Sequence, residues 1–291
     1  MSNRTERIKI AKETLEILEE GFYRNSKEKI VQINDSLKFA MKNTIHYTPD
    51  MLKSVNSQRD KIFNKGKLAY KTIYEIRNET SLKAAKRLTH EEEFYNVLCL
   101  NFASAKNPGG GFLRGSDAQE ESLARSSGLY PCIAQMKGYY ESNKKLRSSL
   151  YTDNMIYSPK VPVFRNDDGR LLDAPYLLSI ITAPAVNKGA IIRNEPKKAT
   201  KISSIMENRI EKLLSIAIIH HHDAIILGAW GCGVFKNNPS DVKGYFKKFL
   251  VEDTIFRRCF KKVHFAILDK TKNKAIIGPF KNAFPTEEMV S

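Results

Sequence analysis

From residue 72 onward the 291-residue chain alternates strand-like and helix-like stretches, and two glycine clusters each come directly after a strand-like one. No other feature restricts the fold as much. Residues 94–102 (FYNVLCLNF) read as a buried strand, with Asn107-Pro108-Gly109-Gly110-Gly111 just beyond it. Residues 224–229 read as another, running into Gly228-Ala229-Trp230-Gly231-Cys232-Gly233-Val234-Phe235. Further strands are expected at 72–77, 176–182 and 263–268. Between them, apolar residues recur at helical spacing: Leu82, Ala85 and Leu88; Ile202, Ile205, Ile210, Leu213, Leu214 and Ala217; Val242, Tyr245, Phe246 and Phe249. This order predicts an α/β fold with a mainly parallel sheet covered by helices on both faces. Ligands of such sheets bind beyond the carboxyl ends of the strands, the edge on which both glycine clusters would lie.

The first 70 residues are less regular. Ile8, Ala11, Leu15 and Leu18 form one helical stripe that Gly21 would stop, and Ile30, Val31 and Ile33 suggest a strand. Residues 34–70 read as helical pieces and loops. Asn78 or Thr80 would cap the helix that follows. Residues 143–173 are polar, with Pro159 and Pro162 bracketing short extended pieces.

Composition narrows the class. Hydrophobic residues are 42% and charged residues 27%, which excludes a collagen-like or mostly disordered chain. No apolar run approaches the ~18 residues of a membrane span. The start, MSNRTERIKIAKETLEILEE, has no signal-peptide core, so a cytoplasmic location is expected. Four cysteines without a CxxC pair point to reduced thiols and no structural zinc. The net charge of +16 suggests an anionic partner. Residues 91–180, which hold the first glycine cluster, are the one segment without a positive surplus. An anion bound there would have to rely largely on backbone N–H groups.

Three glycines in a row have no Cβ to keep a ligand at a distance and reach positive φ, so the first cluster could wrap a phosphate or ribose. A tight turn without a ligand fits equally well. The second cluster could lay its N–H groups along a diphosphate, or could simply be a small strand-to-helix connection. Neither is a P-loop, and neither is a GxGxxG fingerprint. Seven residues after Gly111 comes Gln119-Glu120-Glu121. Asp117 and Glu120 have the D-x-x-E spacing of a capping box, the bland reading of these acids. The chemical reading places a carboxyl beside whatever the glycine loop holds. Successive helical residues point about 100° apart, so the two glutamates would do different jobs. One would hold a ribose hydroxyl, while the other, kept from water beside a second carboxylate, would stay protonated and serve as general acid.

The spacing Gly109-Gly110-Gly111, seven residues, Gln119-Glu120-Glu121 resembles the GGG-X6–8-QEE signature of poly(ADP-ribose) glycohydrolases. NETSLKAAKRL (78–88), NFASAKNPGGGF (101–112), SPKVPVFRNDDG (158–169), ITAPAVNKG (181–189) and LGAWGCGVFKNNP (227–239) are similar to the microbial type. The resemblance spans nearly the whole chain. It implies a macrodomain-like three-layer α/β/α sandwich with a mixed central sheet. Residues 1–90 would add N-terminal helices and first strands to a core at 91–291, within one catalytic domain. It implies hydrolysis of the ribose–ribose O-glycosidic bond of poly(ADP-ribose), with ADP-ribose as product and no metal or other cofactor. By position, Glu121 would be the catalytic acid and then the base for water. Glu120 would hold the scissile ribose, and Gln119 would complete the loop. Gly109, Gly110 and Gly111 would approach the ribose and diphosphate. Gly231, Cys232, Gly233 and Val234 would wrap the diphosphate, and Phe235 would pack near the ribose. Thr182-Ala183-Pro184-Ala185 are candidates for the adenine, and Asn101 and Asn107 have no assigned role. Poly(ADP-ribose) or ADP-ribosylated proteins are the expected partners of a monomeric chain, with no membrane and no nucleic acid. A non-catalytic ADP-ribose reader is the alternative.

Four features stay open. His220-His221-His222 could bind metal or cap a helix end. Cys232 could be reactive or merely small. Tyr139-Tyr140 could border a polymer channel or pack a helix. The basic N-terminal segment could touch a polyanion or be a solvated face.

Overall fold

The computed structural model describes residues 3–66 and 69–285. The first part of the chain comprises α1 (Arg4–Glu20), β1 (Phe22–Arg24), β2 (Ile30–Gln32), α2 (Asn34–Lys42), β3 (Ile45–Tyr47), α3 (Pro49–Phe63), β4 (Ile73–Arg77), α4 (Ser81–His90) and β5 (Val97–Phe102). Then come α5 (Gln119–Ser126), α6 (Leu129–Ala134), α7 (Lys137–Lys145), β6 (Met155–Arg165), β7 (Leu171–Ala183), α8 (Lys188–Asn194) and α9 (Ile202–Ile219). The chain continues through β8 (Ala224–Leu227), α10 (Pro239–Lys247), β9 (Lys262–Ala266) and α11 (Gly278–Lys281).

Among the described residues the main sheet has seven strands in the order β3-β6-β7-β5-β8-β9-β4. The run from β7 to β4 is parallel, as the alternation predicts, whereas β6 pairs antiparallel with both β7 and β3. The sheet is therefore mixed. Side chains along the parallel strands alternate between two cores. Leu98, Leu100, Ile225, Leu227, Val263 and Phe265 meet Leu52, Val55, Met206, Ile210, Val242 and Phe246 of α3, α9 and α10 on one face. Val97, Cys99, Ala224 and Ile226 meet Leu82, Ala85, Leu129 and Ile133 of α4 and α6 on the other. Strands covered on both faces read as continuous apolar runs, so they are visible in the sequence. The result is a three-layer α/β/α sandwich.

Several local readings are corrected. The segment with Pro159 and Pro162 is one eleven-residue strand, not separate pieces. A register shift between Ser158 and Val161, where Lys160 takes φ +48°, places Pro159 outside the ladder, while Pro162 stays in register opposite Leu177. The three-residue edge strand β3 and the helix α8 went unpredicted, being too short to show a period. Thr80, not Asn78, caps α4 by accepting from Lys83 N–H, while Asn78 bonds Asp269. Helix α1 ends at Gly21 (φ +78°) as expected, but its buried face is Ile10, Ala11, Thr14 and Ile17. Leu15 and Leu18 are only partly covered.

One buried cation ties the segment before β6 to α9. Arg209 is fully buried and donates to Leu150 O, Tyr151 O and Pro184 O at 2.7–3.0 Å, and to Asp153 at 2.9 Å. Arg209→Leu orphans three buried carbonyls and leaves the Asp153 carboxylate to Asn208 and Lys212 alone. Breaking one partner of such a network costs about 3–5 kcal/mol. Thermal denaturation of this variant should show a melting temperature lower by on the order of 10 °C.

Candidate active site

Strands β5 and β8 are parallel neighbours, so their carboxyl ends deliver both glycine clusters to one edge. In the first loop Gly109 (φ +67°) and Gly110 (φ +59°) are left-handed, a conformation that disfavours side chains. A Cβ on Gly110 would run into the Glu121 carboxyl, and one on Gly111 into Ser116 Oγ. The loop thus closes directly over the acidic helix. The seven-residue spacer is a tight turn: Arg114 N–H and Ser116 N–H both donate to Gly111 O, and Gly115 turns at φ +75°.

Helix α5 begins at Gln119 with Ala118 as its N-cap and no side-chain cap bond, so the Asp117–Glu120 capping box does not form. Asp117 instead faces Arg125 at 3.3 Å and Arg7 at 3.8 Å. Gln119 is a staple. Its Oε1 accepts from Phe102 N–H at 2.8 Å, and its Nε2 donates to Leu100 O at 2.7 Å and Ser81 Oγ at 3.0 Å. The two glutamates diverge as helical geometry requires. Glu121, half-buried, takes Gly111 N–H on Oε1 at 2.9 Å. Glu120 is buried, taking Ser104 N–H at 2.6 Å and facing Asn101 Nδ2 at 3.4 Å. Burial pushes its carboxyl up to about 8; hydrogen bonds from Ser104, Asn101 and Gly109 oppose this, and the charge of Glu121 adds to it. Desolvation thus favours the protonated form of Glu120, the buried member of the pair.

In the second loop Gly228 lets the chain pass between Ala266 O and the Phe102 ring, and Gly231 (φ +75°) packs against Asn237 and Ala185. Trp230 is buried beneath, donating to Ala183 O at 3.2 Å. Asn237 holds the loop closed through Val186 O (2.8 Å) and Gly231 O (3.2 Å). Among the described residues, the N–H groups of Gly231, Gly233, Val234 and Phe235 have no protein acceptor. Unpaired N–H groups concentrated in one turn form an anion cradle. Val234 is 82% exposed, so it offers its N–H rather than its side chain. The Phe235 ring leans on Tyr151 with centroids 5.9 Å apart. A cavity of about 520 Å³ adjoins this loop and is lined by Ser81, Phe102, Gln119, Cys232, Gly233 and Ile267 among others. A second, of about 260 Å³, adjoins the first loop from Asn107 to Arg114.

The sequence did not single out Ser104, Tyr151 or the cavity wall at Glu79–Ser81. Ser104 acts through its backbone, and the other two reach the site only through long-range packing. The adenine candidates fail: Thr182 and Ala183 are 0% exposed and Ala185 1%, packed beneath the second loop. Burial pushes the Cys232 thiol up to about 12, so it is small rather than reactive. The histidine run sits at a helix end: His220 is the C-cap residue of α9. His220 Nε2 lies 2.8 Å from Tyr47 OH and His222 Nε2 2.9 Å from Tyr157 OH, and burial pushes both rings down to about 4. Tyr139 and Tyr140 are buried in helix packing. Among the described residues no group of three metal-ligating side chains occurs, and no helix is long and apolar enough to cross a membrane.

Two outcomes follow from this geometry. In Gly110→Ala the new methyl should displace the Glu121 carboxyl from Gly111 N–H, visible in a crystal structure, at a cost of about 1–2 kcal/mol for the left-handed alanine. Glu120 has a folded pKa raised above its unfolded value. Its contribution to stability is therefore complete below about pH 4 and is lost as pH rises towards about 8. The melting temperature of the unliganded protein should fall across that window, and Glu120→Gln should flatten the fall.

The chain matches the family described as microbial-type PARG, catalytic domain, over residues 11–166. No protein of curated function matches it significantly. Among solved structures it is similar to poly(ADP-ribose) glycohydrolase from Thermomonospora curvata, with TM-score 0.88 and 40% identity over 96% of this chain and 100% of that one. It is similar to the same enzyme bound to the inhibitor ADP-HPD, with TM-score 0.86, 39% identity and the same coverage. It is also similar to poly(ADP-ribose) glycohydrolase from Deinococcus radiodurans in complex with ADP-ribose, with TM-score 0.79 and 38% identity over 85% of this chain and 96% of that one. With half the chain inside the family's catalytic domain and nearly all of it superposable on enzymes at about 40% identity, the protein belongs to the microbial-type poly(ADP-ribose) glycohydrolase family.

Proposed function

We propose that the protein hydrolyses the ribose–ribose O-glycosidic bonds of poly(ADP-ribose) and releases ADP-ribose, with Glu121 as acid and then base. One observation carries this reading: the Glu121 carboxyl sits on the backbone of the triple-glycine loop, 2.9 Å from Gly111 N, where a ribose held by that loop would meet it. The unpaired N–H groups at Gly231 and Gly233–Phe235 take the diphosphate, Phe235 packs near the ribose, and the larger cavity takes the adenosine end. Gly109–Gly111 approach the ribose, and Glu120 holds one of its hydroxyls.

The two carboxyls are neighbours, and burial favours a proton on Glu120. A diphosphate laid across the second loop adds negative charge beside them and favours the protonated form of the pair. Substrate binding thus supplies the acid state. Glu121 gives its proton to the leaving ribose oxygen as the C–O bond breaks. The anionic diphosphate and the carboxylate left behind stabilise the developing oxocarbenium ion. The same carboxylate then takes a proton from the attacking water, which restores the acid. No cofactor enters this scheme. The chain is taken to act as a cytoplasmic monomer on poly(ADP-ribose) or ADP-ribosylated proteins, without nucleic acid.

Wild type and Glu121→Gln should be incubated with labelled poly(ADP-ribose), and ADP-ribose affinity measured by calorimetry. The wild type should release ADP-ribose. The variant should be slower by at least about 10²–10⁴-fold, the size of an acid–base contribution, while still binding ADP-ribose. Equal rates would remove the role of Glu121. Binding without release by the wild type would make the protein a reader.

A further inference from the structure

The spacer between the triple-glycine loop and the acidic helix is gripped by three guanidinium groups in succession. Arg4 Nε donates to Arg114 O at 3.1 Å, Arg7 Nε to Gly115 O at 2.8 Å, and Arg125 Nη1 to Ser116 O at 2.6 Å. Asp117, the next residue, lies between the last two cations, 3.8 Å from Arg7 and 3.3 Å from Arg125. Arg4 and Arg7 are on α1, outside the residues that match the family. At Arg7 the basic start of the chain is therefore held against the spacer, while Arg4 bonds it from an exposed position.

The approach is close. A Cβ on Gly115 would lie 2.6 Å from Arg4 O, so α1 is pressed against the spacer backbone. At its other end α1 holds α5, because Thr14 Oγ1 donates to Arg125 O at 2.6 Å in a buried contact. One helix thus fixes both the spacer and the helix that bears the glutamates. The spacer cannot hold itself in this way. Its internal bonds spend Gly111 O twice, and carbonyls 114–116 need donors from elsewhere. Bonds from cations to carbonyls are the stronger kind.

We propose that Arg7, acting together with Arg125 through residues 114–117, is a positioning residue for Glu121. The spacer's length and shape set the separation of Gly111 N–H from the Glu121 carboxyl, and Arg7 fixes that shape without touching substrate. This rests on the reading of Glu121 as the acid. A general acid must lie within hydrogen-bond reach of its target, and a misplacement of about 1 Å costs on the order of 10²-fold. Arg7 does not line the larger cavity, although Asp117 and Arg125 do, and the diphosphate cradle is a separate loop, so loosening the spacer through Arg7 affects turnover more than binding.

The test uses the full chain with Arg7→Ala and, as a variant with little effect on folding, Asp117→Asn, whose side chain is about half exposed. Steady-state release of ADP-ribose from poly(ADP-ribose), ADP-ribose affinity and melting temperature are measured for each. For Arg7→Ala kcat should drop by about 10–100-fold, with KM and ADP-ribose affinity within about twofold of wild type. Asp117→Asn should show a smaller drop in kcat at an unchanged melting temperature. Wild-type kcat in both variants overturns the proposal. So does a loss of kcat that tracks a loss of ADP-ribose affinity, which marks general damage to the fold. These failures are distinct from failure of the enzymatic reading, which would show as no release by the wild type.

Discussion

Two adjacent carboxyl groups are held by backbone N–H groups of the chain that runs just ahead of them, and the rest of the site is arranged around that return. Glu121 is anchored on Gly111 N–H, and Glu120 on Ser104 N–H beside Asn101. The return is possible because Gly110 has no side chain where the Glu121 carboxyl lies. It also needs the spacer to turn back through Gly115, and Gln119 to staple the start of the helix to the end of β5. Each of these contacts joins residues 10 to 19 positions apart and folds them back onto the carboxyl edge of the sheet.

The arrangement stores an electrostatic cost. Glu120 is buried next to a second carboxyl, and desolvation favours its neutral form. Functional sites are where such costs persist, because the surrounding structure over-determines them. Here the surrounding structure is the sheet edge on one side and the arginine-held spacer on the other. In the second loop the N–H groups of Gly231, Gly233, Val234 and Phe235 have no protein acceptor among the described residues. That loop lies in residues 181–240, which carry 8 basic and 4 acidic side chains, whereas residues 91–180, with the carboxyl pair, have no positive surplus despite a net charge of +16. The surplus lies elsewhere on the chain, where it can attract a polyanion at long range without competing for the carboxyls.

Some of this could be read from the sequence and some could not, for physical reasons. The strands β5, β8 and β9 are covered on both faces, so their apolar runs announce them. The α1 stripe was legible, but its buried face is rotated towards Thr14, because a hydroxyl that bonds the Arg125 carbonyl counts as polar in any periodicity. The prolines of β6 suggested broken pieces, whereas a bulge absorbs one of them and leaves a single strand. Asp117 had cap spacing, yet its carboxylate turned to two arginines, one of them more than a hundred positions away. The histidine run could be read as a metal site or a helix end, and it is a helix end, with tyrosines from β3 and β6 bonding His220 and His222. β6 and β7 follow one another without a helix between them and pair antiparallel, a hairpin hidden in the sequence because β6 read as broken pieces.

By itself the sequence determined which backbone stretches could bend without side chains, which residues carry carboxyls, and how far apart these lie along the chain. Those properties are local and covalent, so glycine, glutamate and their spacing carry them intact. Tertiary structure alone decided which carboxyl is desolvated, which N–H groups remain unpaired and face open space, and which arginines hold the spacer. Burial and hydrogen-bond partnership depend on surfaces brought together from distant segments, and no local pattern in the chain specifies them.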